Sequence, residues 1–280
     1  AFPTGGTPEV VLDLQGSKWR LGEIETEQLP VGQKVRIRLA SNAAGDMASP
    51  AGGQTVLPMP HEDFFAAAAR SAGVVRLNDA RVELTIEKDY EGELHCRVSR
   101  GGPVGSRKGV TLPGSSYRRE GLLPRDEEIV GRTTGAEGIA YALSYVRDGK
   151  EMATLRGALG REVGVSAKIE RPEAIDDSMA IASQASELWL CRGDLGAELG
   201  PVEMARAVRE YSRTLGKVRV PVLMAGQLLE HMTSHPQATR SELCHLYDLL
   251  DGGYSGVVLS DETAVGNYPV ESCRSAALFR

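Results

Sequence analysis

VSAKIERPEAIDDSMAIASQASELWLCRGDLG, residues 165–196, is the stretch on which the fold turns. Val165 to Ile169 is a short apolar run that meets a charge and then Pro172, the pattern of a buried strand. Side chains alternate along a strand, so Lys168 and Glu170 face the same side. A second apolar run, Leu188 to Cys191, stops at Arg192-Gly193-Asp194-Leu195-Gly196. Two parallel strands that both end in charge put one cation and two carboxylates around a small space. That arrangement suits a divalent metal with an anionic oxygen ligand. Taken alone, Lys168 and Glu170 read as a structural ion pair. Asp194 in register with them turns the pattern toward chemistry.

Outward from this stretch the pattern is strand then helix, repeated. Strands are expected at Ile139–Leu143, Val220–Met224 and Gly256–Leu259. Helices are expected at Lys150–Leu159, Pro172–Ser183, Pro201–Leu215, Gln227–Met232, Ser241–Leu250 and Val270–Phe279. Repeated βα units imply a parallel sheet. Arg147, Glu170, Asp194 and Ser260-Asp261-Glu262 fall at the carboxyl ends of these strands, the face that hosts active sites in (β/α) barrels. Helix capping explains Ser260 and Glu262 equally well. Val10 to Leu14, interrupted only by Asp13, reads as a further strand covered on both faces, after a turn-rich lead-in over Ala1–Pro8. Between Glu23 and Leu112 the texture changes: Val35–Leu39, Val82–Ile86 and Leu94–Val98 alternate, and one helix, Glu62–Ser71, interrupts them. The expected division is a first barrel strand over residues 1–22, an inserted small antiparallel β domain over 23–112, and the rest of the barrel over 113–280.

The 280 residues, 41% hydrophobic and 25% charged, are ordinary for a globular protein. A net charge of −6, with no run of lysine or arginine interleaved with aromatics, argues against nucleic acid as a partner. No stretch approaches the ~20 apolar residues of a membrane span, and no basic-then-apolar leader opens the chain. Cys96, Cys191, Cys244 and Cys273 lack metal-type spacing, as expected of reduced thiols in a cytoplasm. The five histidines show no ligand pairing and read as structural or solvated.

KIERPEAID, LCRGDLGAELGPVEM, LGKVRVPVLMAGQLLEHMTSHPQATRSE and GVVLSDETAVGNYPVES, in that order, resemble the pyruvate kinase family. VVLDLQGSKWRLGEI and GGPVGSRKGVTLPG resemble its exit into, and return from, a small β domain. The resemblance implies a (β/α)8 TIM barrel with that domain inserted after the third strand. It implies phosphoryl transfer between phosphoenolpyruvate and ADP, giving pyruvate and ATP, with Mg²⁺ and K⁺. By position, Glu170 and Asp194 resemble the Mg²⁺ carboxylates and Lys168 the catalytic lysine beside the phosphoryl group. The Gly193-Asp194 backbone resembles the cradle for the substrate carboxylate. Asp13 stands where the family has a K⁺ ligand, and Arg20 where an arginine meets nucleotide phosphate. Asp13 also reads as a turn residue, and Arg20 as a surface charge.

The chain departs from the family in several places. The family's two opening βα units do not precede Val10, so six strands are expected: either the chain is cut at its N-terminus or the barrel is incomplete there. The exposed strand edges then call for a cover, and a homo-oligomer is the expected one. Gly226 replaces a threonine of the substrate site, Leu14 a K⁺-ligating hydroxyl, and Asn78-Asp79-Ala80 a turn of the small domain. The family's C-terminal domain is also missing. Three functions follow from this reading. One is a Mg²⁺-dependent phosphotransferase, the second a pyruvate-enolate lyase or decarboxylase without nucleotide, and the third a non-catalytic relative that keeps the metal pocket.

Overall fold

A computed structural model describes residues 9–40, 55–71, 73–115, 122–160 and 162–279. The lead-in Ala1–Pro8 lies outside them. The chain divides into two compact units, the first comprising residues 1–16, 120–195 and 202–280, the second 17–119 with 196–201.

Strand β1 (Val10–Leu14) belongs to the first unit. The second unit follows with β2 (Trp19–Arg20), β3 (Glu27–Leu29), β4 (Lys34–Leu39), β5 (Thr55–Met59), helix α1 (Glu62–Ala68), β6 (Val74–Leu77), β7 (Val82–Tyr90), β8 (Glu93–Arg100), β9 (Gly102–Val104) and β10 (Gly109–Thr111). Seven of these strands form one sheet in the order β2-β10-β6-β7-β8-β4-β5, and β3 pairs with β9. Alternation builds the core: Val35 and Ile37 on β4, Leu84 on β7 and Leu94, Cys96 and Val98 on β8 point inward against Trp19, Phe64 and Phe65. A wholly antiparallel domain was expected, and one pair corrects it: β4 and β5 run parallel, Val35 opposite Thr55. Parallel neighbours need a long connection rather than a hairpin, and residues 40–54 supply its length.

The first unit resumes with α2 (Pro124–Thr133), β11 (Ile139–Leu143), α3 (Gly149–Leu159), β12 (Val165–Ile169), α4 (Pro172–Asp176), α5 (Ser178–Ala182) and β13 (Glu187–Cys191). Next come α6 (Arg192–Leu199), which begins in this unit and ends in the second, and α7 (Pro201–Ser212), which returns to it from Val202, then β14 (Val222–Ala225), α8 (Arg240–Asp251), β15 (Gly256–Val258), α9 (Asp261–Ala264) and α10 (Pro269–Ala276). All six strands of its sheet run parallel, in the order β1-β11-β12-β13-β14-β15. Helical connections cover such a sheet and make its central strands near-continuously apolar. Tyr141, Ala142, Leu143, Val165, Ala167, Ile169, Leu188 and Leu190 are accordingly buried.

Strand β1 differs from expectation. Val10 is 57% and Val11 39% exposed, although both were read as covered. Among the described residues β1 pairs only with β11, and β15 only with β14, so each is an edge. The helix expected over Pro172–Ser183 is broken at Asp177 (φ −96°, ψ 14°), whose carboxylate accepts from Gly149 N–H at the start of α3. Gln227–Met232, expected helical, is a turn leading into a 3₁₀ segment over Glu230–Thr233.

Candidate active site at the carboxyl ends of the parallel strands

Asp13, Ser144, Lys168 and Glu170 come from the ends of three neighbouring strands, and parallel register brings those ends level. Asp13 lies opposite Ala142, and Leu143 opposite Ala167. Lys168 Nζ donates to Asp13 Oδ2 at 3.0 Å and to Ser144 Oγ at 2.9 Å, and it stands 3.5 Å from Glu170 Oε1. Ser144 Oγ in turn donates to Asp13 Oδ1 at 2.8 Å. The Lys168–Glu170 contact is what a two-residue strand period produces.

Two local devices hold these ends. Asp126, buried in the first turn of α2, accepts from both Gln15 N–H and Gly16 N–H at 2.9 Å. Gly16 sits at φ +61°, and a Cβ there would lie 2.0 Å from the Ser144 carbonyl oxygen, so only glycine fits. Tyr145 takes a left-handed backbone (φ 61°), and its N–H donates to Glu170 Oε2 at 2.7 Å. Such a conformation costs about 1–3 kcal/mol in a non-glycine residue, and strain of this kind clusters at functional sites. The buried Arg171 guanidinium donates to the Tyr145 carbonyl and lies over its ring, 5.4 Å from the centroid.

Asp194 lies in the first turn of α6, where the helix dipole favours a carboxylate. The buried Cys191 thiol reports its company. Burial raises the thiol far above its ordinary value and Glu170 pushes it further. Lys168 offsets part of this, while Asp194 and Asp13 add to it. Four charged groups therefore bear on one sulfur. For Lys168, burial pulls downward, yet Glu170, Cys191 and Asp13 outweigh it and lift the ammonium above the ordinary lysine value. Lys168 is a fixed cation.

Gly193 is exposed at the start of α6. Gly226, which follows β14, lies against it: at φ +90°, its Cβ would stand 3.4 Å from Gly193 N and 3.5 Å from Arg192 N. Arg192 ties the two segments together. Its Nε donates to Gly226 O at 3.0 Å, its Nη2 to Gln227 O at 3.2 Å and its Nη1 to His245 Nε2 at 2.7 Å.

The predicted residues therefore fall into groups. Lys168, Glu170 and Asp13 touch or nearly touch, Asp194 stands in the first turn of α6, and Gly193 meets Gly226. Arg20 lies in the second unit, where its Nη1 donates to the Arg107 carbonyl. Ser144, Asp126 and His245 were missed. Ser144 had a signal, because it follows an apolar strand as Glu170 does. The other two act on backbone and side chains far away in sequence.

Mg²⁺ uses one or two carboxylates and completes its shell with water and substrate oxygens. Glu170 and Asp194 are carboxylates of that donor type, and the described residues hold no cluster of three or more metal-type side chains. At Asp13, Lys168 donates to the carboxylate and to the adjacent Ser144 hydroxyl.

No helix among the described residues is long and apolar enough to cross a membrane. A family model described as "Pyruvate kinase, barrel domain" matches residues 3–273. A pyruvate kinase of Agrobacterium vitis is 32% identical over 265 residues, 94% of this chain and 53% of that protein. Pyruvate kinase 2 of Synechocystis is 30% identical over 97% of this chain and 46% of its own length. A pyruvate kinase of Mycobacterium intracellulare is 32% identical over 97% of this chain and 57% of its own. The chain spans about half the length of the curated relatives it matches.

Proposed function

The chain belongs to the pyruvate kinase family, and from that membership we propose that it handles phosphoenolpyruvate and pyruvate in a Mg²⁺-dependent phosphoryl transfer with ADP. The six parallel strands are then the last six of a (β/α)8 barrel, and the second unit is the domain inserted after the barrel's third strand. The observation that carries the proposal is the convergence of Lys168, Glu170 and Asp13 at the ends of adjacent strands, with Asp194 in the first turn of the helix that follows the next strand.

Phosphoryl transfer is catalysed by positioning and by stabilising charge that develops on the phosphoryl and enolate oxygens. Lys168 supplies a positive charge among carboxylates, which lift its ammonium above the ordinary lysine value. Glu170 is aimed by Tyr145 N–H on one oxygen and Lys168 on the other. Held by Glu170 and Asp194, Mg²⁺ would neutralise the anionic oxygens of the substrate. The exposed Gly193 amide, at a helix start, suits the substrate carboxylate. Arg20 is assigned to nucleotide phosphate. Asp13 mainly orients Lys168, and no step is assigned to K⁺ there.

A second reading, a pyruvate-enolate lyase without nucleotide, draws on Gly226. That position brings no hydroxyl to the site, and its φ of +90° suits glycine alone. Exchange of solvent protons into the pyruvate methyl group in the presence of Mg²⁺ tests the enolate chemistry common to both readings. Lys168→Met should slow it by about a hundredfold or more. Exchange untouched by that substitution, or none in the unaltered chain, would rule out both. Pyruvate formation from phosphoenolpyruvate only when ADP is supplied selects the phosphotransferase.

A further inference from the structure

Arg192 is partly buried, and among the described residues it forms no ion pair with a carboxylate. Its guanidinium is satisfied by two carbonyls and one imidazole. The carbonyls belong to Gly226 and Gln227, consecutive residues at φ +90° and +52°, a left-handed pair that turns both oxygens toward Arg192. A guanidinium has donors only, so the His245 Nε2 it meets must carry a lone pair, and the ring must be neutral. Protonation of His245 removes that acceptor and sets a second cation against the first.

We propose that His245 is a positioning residue: through Arg192 it holds the start of α6, and with it the Gly193 amide and Asp194, against the Gly226–Gln227 turn. The proposal rests on the substrate role given above to Gly193 and Asp194. His245 lies on α8, half-buried, and touches neither residue. The charged groups that bear on it are Arg192 from α6 and Asp248 one turn along α8, while Tyr254, bonded to Ser212 of α7, bears on Arg192. Burial first and Arg192 second hold the imidazole below its ordinary value, whereas Asp248 raises it. The latch is therefore closed at neutral pH and opens in acid.

Labelling arginine carbonyls with ¹³C and glycine amides with ¹⁵N selects three Arg–Gly bonds in this sequence: Arg100–Gly101, Arg156–Gly157 and Arg192–Gly193. In the unaltered chain the Gly193 amide signal should move between pH 8 and pH 5, with the same midpoint as the His245 ring proton. Gly101 and Gly157 should stay still and report an intact fold. In His245→Gln the side-chain amide offers Arg192 an acceptor that cannot titrate, so the Gly193 signal should hold its neutral-pH position throughout. A Gly193 signal indifferent to pH in the unaltered chain, or one that moves equally in His245→Gln, overturns the proposal. The shifts need neither metal nor substrate, so they decide the matter whatever proton exchange says about the reaction.

Discussion

Cys191 and Cys96 should both resist alkylation, each because burial keeps the sulfur protonated. Burial raises Cys96 to about 12 and Cys191 well above the ordinary thiol value, with Glu170 adding to the second. The thiolate is the reactive form. Timed iodoacetamide labelling read by mass spectrometry should modify the exposed Cys244 first. Cys96 and Cys191 should label only on unfolding, and early labelling of Cys191 would mean that its four charged neighbours are elsewhere. Lys168→Met removes the cation that stands 3.5 Å from the buried Glu170 carboxylate and should cost about 3–5 kcal/mol in urea unfolding at neutral pH. Lys168→Met/Glu170→Gln should recover part of the loss. A loss no greater than that of a surface lysine would count against the cluster. Lys168 and Glu170 were legible because a strand period of two is strict. Ser144 was not, because serine at a strand end is commonplace and its partners lie 24 and 131 residues away in sequence.

At the scale of elements, the site depends on how strand ends are held. Asp126→Ala would strip the acceptor from two backbone N–H groups at the end of β1 and should cost about 1–3 kcal/mol for each left unsatisfied. Gly16→Ala should destabilise more than a typical surface change, because its Cβ meets the Ser144 carbonyl. Equilibrium unfolding checks both, and a Gly16→Ala chain as stable as the unaltered one would contradict the turn. Helix α2, which carries Asp126, was not legible: it buries only Asp126 and Val130, so it has no apolar stripe to read. The break at Asp177 was hidden for a related reason, since its partner, Gly149, lies in another helix. On α8, His245 has a folded-state value below the imidazole's ordinary ~6.5. The unfolded chain then binds a proton that the folded one refuses. Its stabilisation is complete above that ordinary value and fades as pH falls toward the folded value. Urea midpoints of the unaltered chain should drop between pH 7 and pH 5 more than those of His245→Gln, and parallel curves would contradict the neutral ring.

On the scale of the whole molecule, two units with separate cores imply separate cooperativity. The second unit buries its own cluster around Trp19, Phe64 and Leu84, and the first its parallel sheet. Calorimetry should show two overlapping transitions rather than one two-state peak, and a single transition with equal calorimetric and van't Hoff enthalpies would contradict this. Strand-and-helix alternation made the parallel sheet readable, because buried strands are near-continuous apolar runs. The exposure of Val10 and Val11 was not readable, because an apolar strand looks the same whether or not a neighbour covers it. We propose that Glu170 and Asp194 share one divalent ion beside Lys168. Titration of the chain with Mn²⁺ as a spin-active stand-in for Mg²⁺, following free Mn²⁺ by electron paramagnetic resonance, tests it most directly. Glu170→Gln and Asp194→Asn should each weaken binding by at least about tenfold. Unchanged Mn²⁺ affinity in both variants would contradict it.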